Sequence, residues 1–329
     1  MLARRTLILL ALLLPTLSHA QLNGSYTIDA GGGGDYTSFT AAIADLTTLG
    51  ITGPVVFSVA NGTYTEQIVL GNVPGNSNVN TITFRVASLD SSLVSLTSAT
   101  GTTAPTVRMS GADRVSFEHI TISRTGSTTL PGSCVDWETA VADPSTSSQY
   151  IFFRHCRFTN VSTNGNAMLV RGLAENNERN VVFDHCRFEG GFTGVQWSMD
   201  YSQLTLEVRN SVFTGQRSRC IQLMNAGTGD PEVYIEDNEI TGPVLNGSTA
   251  VEVAHNSNLL QICRNRVVAN APSGVGMSIA CDGADPVWTV VRNNMIIGAS
   301  TAKGLVVTGT ANGLGIINNS ISVAFGRGL

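Results

Sequence analysis

A six-residue phrase repeats along this chain and constrains its fold more than any other feature. Each copy runs apolar, two residues, a small or amide residue, one residue, apolar. The copies are FRHCRF at Phe153–Phe158, FDHCRF at Phe183–Phe188, VRNSVF at Val208–Phe213 and IEDNEI at Ile235–Ile240. ICRNRV at Ile262–Val267, VRNNMI at Val291–Ile296 and IINNSI at Ile316–Ile321 continue the series, and FEHITI at Phe117–Ile122 extends it upstream. The fourth positions are 30, 25, 27, 27, 29 and 25 residues apart. A fixed period of this size is the mark of a solenoid, in which one unit cannot bury its apolar face alone but stacked units can.

A second short strand follows each phrase after a turn of Gly, Asn, Ser and Thr. These strands are Val135–Trp137, Val195–Trp197, Ile221–Leu223, Val251–Val253, Met277–Ile279 and Leu305–Val307. Each alternates apolar, outward, apolar, the period of a strand with one buried face. The sequence therefore predicts an all-β, right-handed parallel β-helix with three short strands per coil.

Stacking at about 4.8 Å per coil sets equivalent residues above one another. Asn238, Asn265, Asn294 and Asn319 then form an asparagine ladder, with Asn chosen for left-handed backbone and for amide bonding between coils. Phe158, Phe188 and Phe213 become an interior aromatic stack. Glu118, Arg154, Asp184, Arg209 and Glu236 alternate in sign down one outer column, as in-register stacking requires. His119, His155 and His185 share one position on consecutive coils. Their geometry predicts stacking, not convergence on a metal, and no metal or cofactor is expected. Cys156 and Cys186 take the ladder position on adjacent coils, where they are expected as packed thiols, a disulfide being the alternative.

The first residues read as an address. Arg4 and Arg5 precede the apolar run Thr6–Leu14, and Ser18-His19-Ala20 has the form of a signal peptidase site, so residues 1–20 are expected to be a secretory signal peptide. The run is too short to span a bilayer, and no transmembrane segment is expected elsewhere. The predicted location is secreted or cell-surface. Losing Arg4 and Arg5 takes the formal charge from -5 to -7, and the chain has one lysine, Lys303. Such a chain is unsuited to nucleic acid, whose binding rests on phosphate neutralisation.

The segment 21–66 departs from the repeat and reads as a cap and first coil, with the β-helix proper over 67–329. Tyr26–Asp29 and Pro54–Val59 read as strands, and Asp35–Leu49 carries helical spacing at Phe39, Ala42, Ile43 and Leu46. Gly34-Asp35-Tyr36, Ala41-Ala42-Ile43, Gly62, Tyr64 and Glu66 resemble the opening of pectin methylesterases, within the pectin-lyase-like β-helix group. They also resemble the openings of large surface β-helix proteins of Gram-negative bacteria. The resemblance implies a capping helix and a first-coil element. It does not extend to the Gln-Asp-Thr, Asp-Phe-Ile-Phe-Gly and Gly-Arg-Pro-Trp settings of the esterases, nor to the Asn-Thr-Asp and Gly-His-Gly motifs of polygalacturonases. Glu66 is expected to serve the helix structurally. Arg327-Gly328-Leu329 follow closely on a strand, as in a chain truncated at its C-terminus.

The candidate site is the outer row of the second strand set, read as Arg108, Asp136, Leu169, Gln196, Gln222, Glu252, Ser278 and Val306. Glu138, Asp200, Asp282, Arg171 and His255 lie nearby in sequence. Asp136 and Glu252 fall about 19 Å apart, beyond the ~10 Å limit of a glycosidase pair. Asp136, Gln196, Gln222 and Glu252 are therefore expected to bind a polysaccharide or cell-surface glycan. The function expected is glycan binding or surface adhesion; the alternative is a lyase, hydrolase or esterase on the same fold.

Overall fold

The computed structural model describes residues 20–323 except 99–100, 138–147, 173–178, 199–204, 225–230, 256–258, 283–287, 300–301 and 311–312, with only the backbone at His255, Asp282, Trp288 and Thr310. Within these bounds the repeat winds into a right-handed parallel β-helix of about 9 turns. Its strands form sheets of 11, 10 and 9 members, termed here the first, second and third sheets. One coil shows the path: Gln149–Arg154 in the first sheet, Arg157–Asn160 in the second and Met168–Gly172 in the third. The signal-peptide reading and the C-terminal Arg327–Leu329 lie outside the described residues.

Register follows the repeat. Phe117, Phe153 and Phe183 pair across adjacent coils, as do Phe158, Phe188 and Phe213. The second set stacks with centroids 4.9 and 4.3 Å apart and rings 9° from parallel. A longer stack, Phe57–Phe84–Phe117–Phe153–Phe183, runs down the first sheet at 4.9–5.4 Å. Every one of these rings is fully buried, and each burial stabilises by about 1.5–3 kcal/mol.

The asparagine ladder forms as expected. Asn238 donates from its backbone and side-chain nitrogens to Asn265 Oδ1 at 3.1 and 2.9 Å. Asn265 bonds Asn294 in the same way at 2.9 and 3.0 Å, and Asn294 bonds Asn319 at 3.0 and 2.9 Å. Each Nδ2 also donates to the phrase's first carbonyl one coil back, as from Asn265 to Ile235 at 2.8 Å. One detail differs from expectation. The left-handed residue is not the asparagine but the one before it: His119, His155, His185, Asn210, Asp237, Arg264, Asn293 and Asn318 have φ of 51–58°. The ladder asparagines are therefore kept for their amides alone.

That conformation turns the three histidines outward, and their rings stack at 4.6 and 4.8 Å instead of converging on a point. Burial, then the neighbouring imidazoles, hold His155 below the usual histidine range. Cys156 and Cys186 remain thiols. Their Sγ atoms donate to Phe117 O and Phe153 O at 3.3 Å, the bond that Nδ2 makes elsewhere. Burial pushes the Cys156 thiol up to about 12, which leaves it unreactive.

The N-terminal cap packs on the same core. Leu22–Ile28 pairs with Ile51–Val59, and helix α1 (Phe39–Leu49) buries Phe39, Ala42, Ile43 and Leu46. The helix starts later than the spacing from Asp35 suggests, because Asp35 is tied back to Thr27: its Oδ2 accepts from the Thr27 N–H at 2.7 Å and hydroxyl at 2.8 Å. Ser38 caps the helix from Ala41 N at 3.0 Å. Glu66 accepts from the backbone nitrogens of Phe39 and Thr40 at 3.1 and 2.8 Å. An anion there also meets the positive end of the helix dipole, so Glu66 has the structural role expected.

Two stability outcomes follow. Asn265→Ala leaves the Asn238 amide without its acceptor and should cost about 1–3 kcal/mol in chemical denaturation; an unchanged midpoint would remove the ladder's role. Gly172 lies between the coils of Trp137 and Trp197, whose rings meet at 4.6 Å. A methyl at Gly172 would come within 2.3 Å of the Trp197 ring. Gly172→Ala should therefore destabilise by about 1–3 kcal/mol, with a blue or red shift of tryptophan emission as the rings part.

Candidate functional site

The outer row of the third sheet is set by backbone register. Arg108 pairs with Asp136, Asp136 with Arg171, Arg171 with Gln196, Gln196 with Gln222, Gln222 with Glu252 and Glu252 with Ser278. Val306 follows Ser278. One expected member is corrected: Leu169 is fully buried, and Arg171 takes its place on the row. The cause is a break in alternation where the strand enters the sheet. Leu169 and Val170 are both buried, as are Cys220 and Ile221 and also Ala250 and Val251 two and three coils on. Trp137 and Trp197 point inward beneath the row, also fully buried, and support the sheet from within.

The four residues singled out from sequence share this face, but they do not meet as one cluster. Asp136 is 5% exposed and holds a two-point ion pair with Arg171, whose Nε donates to Oδ1 at 2.9 Å and whose Nη2 donates to Oδ2. The pair holds the Arg171 guanidinium above its ordinary range, first through the hydrogen bond to Asp136. Beyond it a chain of side chains runs along the coils. Gln196 Nε2 donates to Gln222 Oε1 at 2.8 Å, and Gln222 Nε2 donates to Glu252 Oε2 at 2.9 Å. Arg219 Nε closes the chain by donating to the same Glu252 oxygen.

Arg219 is the member that sequence reasoning did not name, and Arg171, expected only as a neighbour of the row, belongs to it. Arg171 is found by continuing the alternation outward from Val170. Arg219 carries no such signal, because the doubled buried pair Cys220–Ile221 separates it from Gln222. Glu138 and Asp200 lie outside the described residues, as do the side chains of His255 and Asp282.

The chemistry open to this face follows from those pairings. Each carboxylate of the row is already bound to an arginine, and the two sit four coils apart, about 19 Å. Neither is placed to work with the other as acid and base. Gln222 is only 9% exposed, so the capacity left for a ligand lies mainly at Gln196: among the described residues its Nε2 spends one N–H on Gln222 and its carbonyl oxygen accepts no bond. What the row turns outward is the Gln196 amide and the partly exposed Arg171, Arg219 and Glu252 side chains, with Asp136 and Gln222 buried between them.

Arg171→Ala should leave Asp136 as a covered carboxylate without its counter-ion, lowering stability by about 2–3 kcal/mol. The double change Arg171→Ala with Asp136→Ala should recover most of that loss. A double-mutant cycle by denaturation checks it, and additive effects would mean that the pair is not coupled.

No protein-family model matches the sequence, and no curated protein matches it. Among solved structures, the chain is similar to a pectin methylesterase from Aspergillus niger at 13% identity, covering 92% of this chain and 86% of that one, with a TM-score of 0.43. It is similar to a pectin methylesterase from carrot at 14% identity, covering 94% and 91%, with a TM-score of 0.45. A pectin methylesterase from Erwinia chrysanthemi matches at 12% identity over 87% and 82%, with a TM-score of 0.41. Identities this low carry no residue role from those enzymes to this chain.

Proposed function

We propose that this chain is an exported β-helix protein that binds a polysaccharide along the outer face of its third sheet, either for glycan capture or for surface adhesion. The observation that carries this reading is the linear row Asp136, Arg171, Gln196, Gln222, Glu252, in which Asp136 fixes Arg171 and the two glutamines and Glu252 fix one another. A polysaccharide is also linear, and its hydroxyls pair with amides and carboxylates. Side chains already held by their neighbours lose little freedom on binding, so the ordering cost is small. Each polar contact replaces one with water at a net gain of only about 0.5–1.5 kcal/mol. Affinity should therefore grow with polymer length and be weak for short oligomers.

Binding without cleavage is favoured over an enzyme because both carboxylates of the row are committed to arginines and lie far apart. The export signal read at residues 1–20 agrees with a ligand outside the cytoplasm.

The test is the double variant Gln196→Ala, Gln222→Ala, assayed for polysaccharide retention after its melting temperature is shown to match the parent. Retention should fall by about tenfold, the equivalent of one or two lost hydrogen bonds. Full retention by the folded variant would move the site off this sheet. Release of shortened product that stops with Glu252→Gln or Asp136→Asn would replace binding with catalysis.

A further inference from the structure

A hollow lies on another face. Beside the second sheet a groove of about 690 Å³ runs across several coils. Its walls carry hydroxyls, among them Ser95, Ser123, Thr159 and Thr163, and its floor is opened by Gly190, Gly191 and Gly215. Glycines leave backbone bare where a ligand can approach closely. The lining also holds Arg157, Glu189 and Arg217.

The charges in this groove are unequally used. Glu189 accepts from Arg157 Nε at 2.8 Å and from Arg187 Nε at 3.1 Å. Burial works against its ionised form, but these two arginines prevail and keep the carboxyl below its ordinary range. Arg217 differs. Its guanidinium makes no ion pair or side-chain hydrogen bond among the described residues, and its Nε is covered without a partner. The adjacent coils meet it at Gly191 and Leu245 through backbone bonds of 3.1 and 2.9 Å. Neither residue has a side chain that could pair with it. The groove lining therefore holds two guanidiniums, Arg157 and Arg217, and one carboxylate, Glu189, which is already paired with Arg157. The further acid near this groove, Asp90, is held by the Ser92 N–H at 2.9 Å and hydroxyl at 2.7 Å.

A planar guanidinium fork with unpaired donors matches a carboxylate, and hydroxyl walls match the ring of a sugar. We propose that this groove is a second glycan site, selective for the carboxylate of an acidic sugar unit and anchored by Arg217. The proposal rests on the reading that the chain binds polysaccharide, and adds both a separate face and a ligand class.

The test titrates the full chain with alginate, with the same polymer after methyl esterification of its carboxyls, with dextran and with dextran sulfate. Alginate should bind at least about tenfold more tightly than its ester, as expected for one charge-assisted bond. Added salt should weaken alginate binding but not binding of the ester. Arg217→Gln should abolish the preference for alginate over its ester. Arg217→Lys, which keeps the charge and stem but loses the fork, should restore part of it, and the comparison of polymers on the parent chain needs no variant to fold. Equal affinity for alginate and its ester overturns the carboxylate site but leaves polysaccharide binding standing. Preference lost in Gln196→Ala, Gln222→Ala and kept in Arg217→Gln assigns the acid to the third sheet and overturns the groove. Dextran sulfate binding as tightly as alginate, through Arg217, overturns carboxylate selectivity in favour of any oxyanion. No binding of any polymer removes both the groove and the reading beneath it.

Discussion

In-register parallel stacking is the constraint on which the rest of this molecule depends. With coils about 4.8 Å apart, the nearest neighbour of almost every side chain is the residue at the same position one coil away. Chemistry therefore has to be self-complementary down each column. The asparagine corner satisfies this fully, because an amide is both donor and acceptor and can repeat without limit. Cysteine at the same corner satisfies half of it. The thiols of Cys156 and Cys186 supply the donor to the carbonyl one coil back. At Cys186 the acceptor role passes to Ser211, whose hydroxyl takes the Cys186 N–H at 3.0 Å and donates to the Arg209 carbonyl at 2.7 Å.

The same rule governs the outside with charges in place of amides. Arg154 faces Glu118 at 3.6 Å, Arg209 faces Asp184 at 3.6 Å, and Arg264 reaches Glu236 at 3.2 Å. Pairs this exposed add little stability individually. Their larger effect is on register, since a slip of one residue would move each charge off its partner and turn apolar side chains to water. Buried stacking supplies the energy, while the outer columns reject the wrong alignments.

Much of this was legible in the sequence because column chemistry is periodic in the sequence. The Asn column, the Phe158–Phe188–Phe213 stack and the inward Trp137 and Trp197 could all be read from spacing alone. Reading stopped where periodicity stops. Leu169 was put on the outer row because two successive buried residues hide the strand's phase. Left-handed backbone was assigned to the asparagines because they tolerate it, although the turn places it one residue earlier and fills it with His, Asp or Arg as readily as Asn. The bonds within the row, and the third-sheet role of Arg219, depend on side-chain reach between coils, which no one-dimensional pattern records. Arg217 was invisible for a related reason: its open guanidinium is defined by what the neighbouring coils lack.

That last point bears on where function can sit in a solenoid. Columns that satisfy themselves are good structure and poor reagents, since their donors and acceptors are already engaged. The row on the third sheet is a compromise, tied in two groups, Asp136 with Arg171 and Gln196 with Gln222 and Glu252, yet with the Gln196 amide only partly used. Such a surface favours weak, repeated contacts with a long ligand. A strong single contact needs a column whose neighbours cannot answer it. Arg217 between Gly191 and Leu245 has no side-chain partner among the described residues, and the proposed contact with an acidic sugar rests on that. Catalysis by a pair of carboxylates asks for more: two unanswered acids on neighbouring coils, within about 10 Å. On the described third-sheet row an arginine already answers each acid, Arg171 at Asp136 and Arg219 at Glu252, so that row offers no such pair.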